Sequence, residues 1–121
     1  MPGQNRPADA THAVAFRSPD GLQLRGTLVI PTATPTSVTV LVHGGGVTRD
    51  EGGFLTRLAE GTAANGIASL RFDLRGHGES EGRQEDLTIS GILMDIRAAV
   101  AHAGRAIRVL PGGTASPAWP T

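Results

Sequence analysis

The stretch Val38-Thr39-Val40-Leu41-Val42-His43-Gly44-Gly45-Gly46-Val47-Thr48 decides the fold. Its first five residues form a short, mostly β-branched run, which reads as a strand buried on both faces of a sheet. The run stops at His43 and three consecutive glycines. Glycine adopts positive φ at little steric cost and lets backbone approach a ligand closely. A helical pattern starts a few residues later. The stretch therefore predicts a strand that delivers a glycine loop to the C-terminal end of a sheet, where open α/β folds place their ligands.

The loop's chemistry narrows quickly. A phosphate loop needs G-x-x-x-x-G-K-[ST], and the sequence contains no lysine. A dinucleotide loop needs G-x-G-x-x-G; Gly44 and Gly46 fit, but Arg49 stands where the third glycine belongs. An oxyanion loop remains, in which backbone N–H groups face the oxygen that gains charge during acyl transfer. His-Gly-Gly-Gly is the form this loop takes in many esterases and lipases. The alternative is a tight strand-to-helix turn that binds nothing.

At 121 residues the chain is at most one domain. A hydrophobic fraction of 39% with 18% charged residues suits a globular chain rather than a disordered one. The formal net charge is zero, which favours neither nucleic acid nor an acidic membrane surface as partner. The absence of cysteine excludes disulfides, thiolate metal sites and a cysteine nucleophile. Residues 1–10 lack the basic start and apolar stretch of a signal peptide. The apolar runs fall far short of the ~18 residues of a membrane span. A cytoplasmic location is the expectation.

Working outward, residues 1–11 carry Pro2 and Pro7 and are expected to be disordered. His12–Ser18 and Leu22–Ile30 alternate around Pro19-Asp20-Gly21, which predicts a hairpin. Pro31–Ser37 is a linker, and the strand at 38–42 follows. Gly52–Ala64 predicts a helix with Phe54, Leu55, Leu58 and Ala59 on its apolar face and Asp50 and Glu51 near its positive end. Asn65-Gly66 stops it, and Ile67–Phe72 is the next strand. A glycine-rich charged loop, with Glu79, Glu81, Glu85 and Asp86 expected in solvent, leads to a second helix over about Thr88–Ala103. Thr88 is its candidate cap, and Ile89, Ile92, Leu93, Ile96, Ala99, Val100 and Ala103 recur at helical spacing. Gly104 is read as its end and Arg105–Leu110 as a short strand. Residues 12–110 make the domain, and 111–121 are an irregular Pro/Gly-rich tail. Alternating strands and helices predict an α/β fold, a parallel sheet with helices on its faces.

Three segments carry a family resemblance: HGGGVTRDEGGF, GIASLRFDLRGHGES and the helix ending DIRAAVAHA. Together they resemble the N-terminal portion of the α/β-hydrolase fold, in its esterase and serine-aminopeptidase-like branch, over roughly residues 12–103. The resemblance implies a mostly parallel sheet with an N-terminal antiparallel hairpin. It implies hydrolysis of a small acyl ester or amide through a covalent acyl-serine and requires no cofactor. Gly44 and Gly45 would form the oxyanion loop, with Gly45 donating its N–H. His43 and Asp73 would brace the loops.

Such enzymes use a triad in the order Ser, acid, His, the Ser standing in G-x-S-x-G on the strand after the second helix. No G-x-S-x-G is read anywhere in the chain, least of all after Ala103, where the elbow belongs. Ser116 is the only serine there; Gly113 precedes it by three positions and Pro117, which has no N–H to offer an oxyanion hole, follows it. Ser80 and Ser90 read as a turn residue and a first-turn helix residue. His77 reads as an exposed structural residue, and His12 and His102 have no motif around them. Adjacent Asp50 and Glu51, without further ligands, do not make a metal site. The catalytic set is therefore expected to be empty, and the chain to be a truncated or frame-shifted hydrolase of marginal stability. The competing expectation is a non-catalytic partner module whose strand 38–42 is an open sheet edge that self-associates.

Overall fold

The computed structural model of the protein describes residues 9–108. Strands β1 (Ala10–Arg17) and β2 (Gln23–Ile30) form the hairpin, closed at Ser18–Gly21 by two backbone hydrogen bonds of 2.9 Å. Strand β3 (Val38–Val42), helix α1 (Phe54–Ala64), strand β4 (Ala68–Phe72) and helix α2 (Ile89–Arg108) follow. The sheet order is β1-β2-β4-β3. Only β3 and β4 run parallel, with Val40 opposite Leu70; β1–β2 and β2–β4 are antiparallel. The sheet is thus mixed rather than mostly parallel within the described residues.

Each face of the sheet carries one helix, and period-two alternation sorts the strands between them. Leu24 and Leu28 of β2 join Leu70, Phe72, Phe16, Ala99 and Ala103 in one core beneath α2. Val29 points the other way, to Leu41 and to Leu55, Ala59 and Ala63 of α1. Phe16 meets Phe72 edge-on at 5.9 Å and stacks on His102 at 5.0 Å.

Several sequence expectations need correction. The strand buried throughout is β4, not β3: all five β4 residues are buried, whereas only Leu41 of β3 is. Among the described residues β3 pairs with β4 alone, so its other edge is uncovered. Second, α2 does not stop at Gly104, and no strand starts at Arg105; the helix runs on to Arg108. Gly104 costs about 1 kcal/mol relative to alanine, but it is buried, and Ile107 one turn on is also buried. Third, the buried stripe of α2 is Gly91, Asp95, Ala99, Ala103 and Ile107, while Ile89 is 80% and Leu93 53% exposed. Likewise Leu55 and Ala59 of the expected α1 face are buried, but Phe54 and Leu58 are not. β1 begins two residues before His12. Residues 109–121, with Ser116, lie outside the described residues.

Candidate active site

The loops after β3 and β4 leave the same end of the sheet and are bonded to each other. His43, at the end of β3, is 4% exposed. Its Nε2 accepts the Leu74 N–H at 3.0 Å, so its proton sits on Nδ1 and is donated to Gly44 O at 2.6 Å. The reciprocal bond comes from His77 in the second loop. Its Nε2 accepts the Gly46 N–H at 3.0 Å, and its Nδ1–H faces Arg75 O at 2.9 Å. The rings lie 5.3 Å apart. Each histidine is a neutral acceptor for the other loop's backbone, an arrangement that protonation at Nε2 would break. His77 is therefore buried, 5% exposed, and not the exposed residue expected from the sequence.

Asp73, 1% exposed, is the second junction. It accepts the Arg49 N–H at 2.7 Å from the first loop, the Glu79 N–H at 3.0 Å from its own, and the Arg49 guanidinium. Arg49 also reaches Glu79 Oε1 at 2.6 Å and Thr27 Oγ1 at 3.0 Å. Burial pulls the Arg49 guanidinium down, but its hydrogen bond to Glu79 and the Asp73 charge outweigh this and hold it above its ordinary value. Gly78 closes the turn against this carboxylate with φ +49°, and a Cβ there would collide with Asp73. Glu79 and Glu81 are not simply solvated: Glu81 Oε1 accepts the Gln23 N–H at 2.7 Å.

The glycine loop itself divides unequally. Gly44 N–H is held by Glu51 Oε1 at 3.0 Å, and Gly46, at φ +81°, gives its N–H to His77. Glu51 is the only non-glycine residue with positive φ among the described residues, at +46°. Such backbone persists where surrounding contacts over-determine it. Between the two held glycines, Gly45 is exposed, and its N–H has no partner among the described residues.

Behind the second loop lies an ion-pair system. Arg75 is 5% exposed and binds Asp95 of α2, itself fully buried, through Nη2 at 2.8 Å and Nε at 3.1 Å. Its other side reaches Asp20 in the β1–β2 turn at 2.7 and 3.0 Å. The bonds to Asp95 and then to Asp20 raise the Arg75 guanidinium above its ordinary value. The sequence reading missed this system, and also Glu51 and Arg49. The available signal was Asp95, a carboxylate at four-residue spacing from Gly91, Ala99 and Ala103.

Contrary to the expectation that G-x-S-x-G is absent from the chain, the letters occur at Gly78-Glu79-Ser80-Glu81-Gly82. Ser80 Oγ donates to Asp73 O at 2.6 Å and accepts the Arg25 N–H at 2.9 Å, and the residue is 9% exposed. Its Oγ staples the loop to β2 and has no histidine ring among its hydrogen-bond partners; the bond to His77 runs from the Ser80 N–H to the backbone carbonyl at 3.0 Å, so Ser80 does not meet the requirement of an activated nucleophile. Among the described residues no group of three or more His, Asp or Glu converges to hold a metal ion. No described helix is long and apolar enough to cross a membrane.

Residues 33–111 match the family described as serine aminopeptidase, S33. The chain belongs to this family of α/β hydrolases. An esterase of Pyrococcus furiosus superposes with a TM-score of 0.66 at 22% identity, over 78% of this chain and 34% of its own. Est1E of Butyrivibrio proteoclasticus, solved with ferulic acid bound, gives 0.64 at 28% identity over 84% and 39%. The α/β hydrolase GrgF of a Penicillium species gives 0.53 at 30% identity over 60% and 24%. The chain spans little more than a third of the length of the Pyrococcus esterase and of Est1E. No curated protein sequence matches it.

Proposed function

We propose that the chain builds the first half of a serine-hydrolase active site for small acyl esters or amides, with the Gly45 N–H as oxyanion donor. One observation carries this: Gly45 offers a solvent-open N–H between two glycines whose N–H groups are held by Glu51 and His77. An oxyanion hole needs donors that do not reorganise as charge develops. In this reading Gly44 shapes the loop through Glu51, while His43 and Asp73 brace it against the second loop. Est1E, which shares the fold, is solved with ferulic acid bound, which supports an acyl substrate.

The second oxyanion donor, the nucleophile, the acid and the base have no counterpart in the described residues, so these 121 residues alone are expected not to turn over ester. Hydrolysis of p-nitrophenyl acetate and butyrate, with Ser116→Ala measured alongside, is the test. A rate at the buffer level supports a half-built site. Turnover that vanishes in Ser116→Ala would place a nucleophile in the tail and overturn the reading. A non-catalytic, self-associating module is the other reading, favoured only by the uncovered β3 edge, where Val42 is 39% exposed. Sedimentation that depends on concentration would support it, and a monomer at all concentrations would remove it.

A further inference from the structure

A surface cavity of about 380 Å³ lies between the β1–β2 turn and α2, lined by Arg17, Pro19, Arg97, Ala98, Ala101 and Arg105. It shares no residue with the two loops of the candidate active site. Three of its six lining residues are arginine and none is acidic. Arg97, Ala101 and Arg105 recur every four residues and so share one face of α2. The two arginines stand about 12 Å apart along the axis, on either side of a methyl group.

These charges are not compensated locally. Asp20, the carboxylate of the adjacent turn, has both oxygens on Arg75, as has Asp95 of α2. Arg17 uses Nη1 on Gly21 O at 2.8 Å. The Arg97 and Arg105 side chains are exposed and make no hydrogen bond or ion pair with the described residues. The chain as a whole is neutral, so the cluster is not a sample of general basicity. Arg105 in the last helical turn complements the helix dipole; Arg97, two turns earlier, does not. Nearby His102 is held below its ordinary value, first by burial and then by the Arg105 charge, as expected of an unneutralised cation.

We propose that this cavity binds a small phosphomonoester, its phosphate held by Arg97 and Arg105 with Arg17 as third cation, and its organic group against Pro19, Ala98 and Ala101. A phosphomonoester carries nearly two charges at neutral pH, and guanidinium matches its oxygens two at a time. A concave site with an apolar floor and three cations suits a small dianion. A membrane surface or a nucleic acid needs a broader basic face, which a neutral chain does not supply.

Isothermal titration of the 121-residue chain with phenyl phosphate at low salt tests this, with inorganic phosphate, benzoate and phosphatidylserine vesicles as the other arms. The expected result is saturable phenyl phosphate binding, tighter than that of inorganic phosphate or benzoate. Arg97→Gln and Arg105→Gln should each weaken it about tenfold or more. Both side chains are exposed, and circular dichroism verifies that the variants fold. Affinity unchanged in the variants, phenyl phosphate bound no better than inorganic phosphate, or vesicle binding without phenyl phosphate binding would each overturn the proposal.

Discussion

Asp95→Asn should break a buried electrostatic anchor between the second loop and α2. The Asp95 carboxylate is fully buried and accepts the Arg75 backbone N–H at 2.9 Å on Oδ2 and Arg75 Nη2 at 2.8 Å on Oδ1. Asparagine keeps the volume but has one acceptor oxygen in place of two. Whichever way its amide turns, the NH2 faces either the backbone donor or the guanidinium. Breaking one side of a buried pair costs about 3–5 kcal/mol. Arg75 keeps Asp20, whose side chain is 38% exposed, so the lower figure, about 3 kcal/mol, is expected. With a urea slope near 1 kcal/mol/M for a chain of this size, the midpoint should fall by about 3 M. Urea titration followed by circular dichroism, in a fixed concentration of trimethylamine N-oxide to keep both transitions in range, measures it. The pair Arg75→Leu with Asp95→Leu should recover much of the loss, because no buried charge is left unpaired; Asp20, which loses its cation, has a 38% exposed side chain that water can solvate. A loss for Asp95→Asn under about 1 kcal/mol, the figure for a surface pair, would refute the argument that this bond fastens the second loop to α2.

Four further outcomes are expected. Ser69→Ala should stabilise the protein by about 1 kcal/mol, read from the urea midpoint, because Ser69 Oγ is buried in β4 without a hydrogen-bond partner among the described residues. Gly78→Ala should cost more than the ~1–2 kcal/mol of left-handed backbone, since its Cβ also meets Asp73; hydrogen exchange should show the Arg49 and Glu79 amides losing protection. Asp20 is lowered from 3.8 to about 2, first by its hydrogen bond from Arg75 and then by that from Ser18. Its contribution is therefore complete above the unfolded value and lost as pH falls toward 2, and carboxyl 13C shifts showing Asp20 titrating at its ordinary value would contradict this. His102 lies below its ordinary value of 6.5 through burial and Arg105, so the unfolded chain binds the proton first. Stability from this group is present above about 6.5 and falls below it, a slope that His102→Phe should flatten.

The parts of the fold legible in the sequence were those governed by local rules. The Pro19-Asp20-Gly21 turn, the Thr88 cap, whose Oγ1 accepts the Gly91 N–H at 3.0 Å, and the stop at Asn65-Gly66 depend on neighbours a few residues away. What failed depends on distant partners. Apolar spacing alone puts Ile89 and Leu93 on the α2 stripe beside Ala99 and Ala103 and leaves Asp95 out; a carboxylate joins a core face only when a buried cation arrives from elsewhere, here Arg75. β3 resembled a central strand by composition, yet exposure of a strand is set by how many strands flank it, which a β-branched run does not record. His77 lay in a glycine turn and looked exposed for the same reason, because its acceptor role needs Gly46, thirty-one positions away.

The cross-bracing of the two loops bears on why the glycine loop would hold a donor ready with so little of an active site beside it. Each loop supplies a histidine that accepts a backbone N–H of the other, and Asp73 binds both loops at once. The loop geometry is thereby fixed by contacts internal to β3, β4 and their connections, before any later part of a hydrolase is needed. On the proposed reading, the Gly45 N–H is left unpaired because its neighbours are spent: Gly44 on Glu51 and Gly46 on His77. Replacing Glu51 by alanine should release Gly44 and, with it, the strained φ of +46° at that position. The loop should then loosen around Gly45 while the sheet stays intact. Amide exchange at Gly44 and Gly45 that rises with no change in the β4 amides is the expected pattern. Unchanged exchange at both glycines would mean that the histidine pair holds the loop without Glu51.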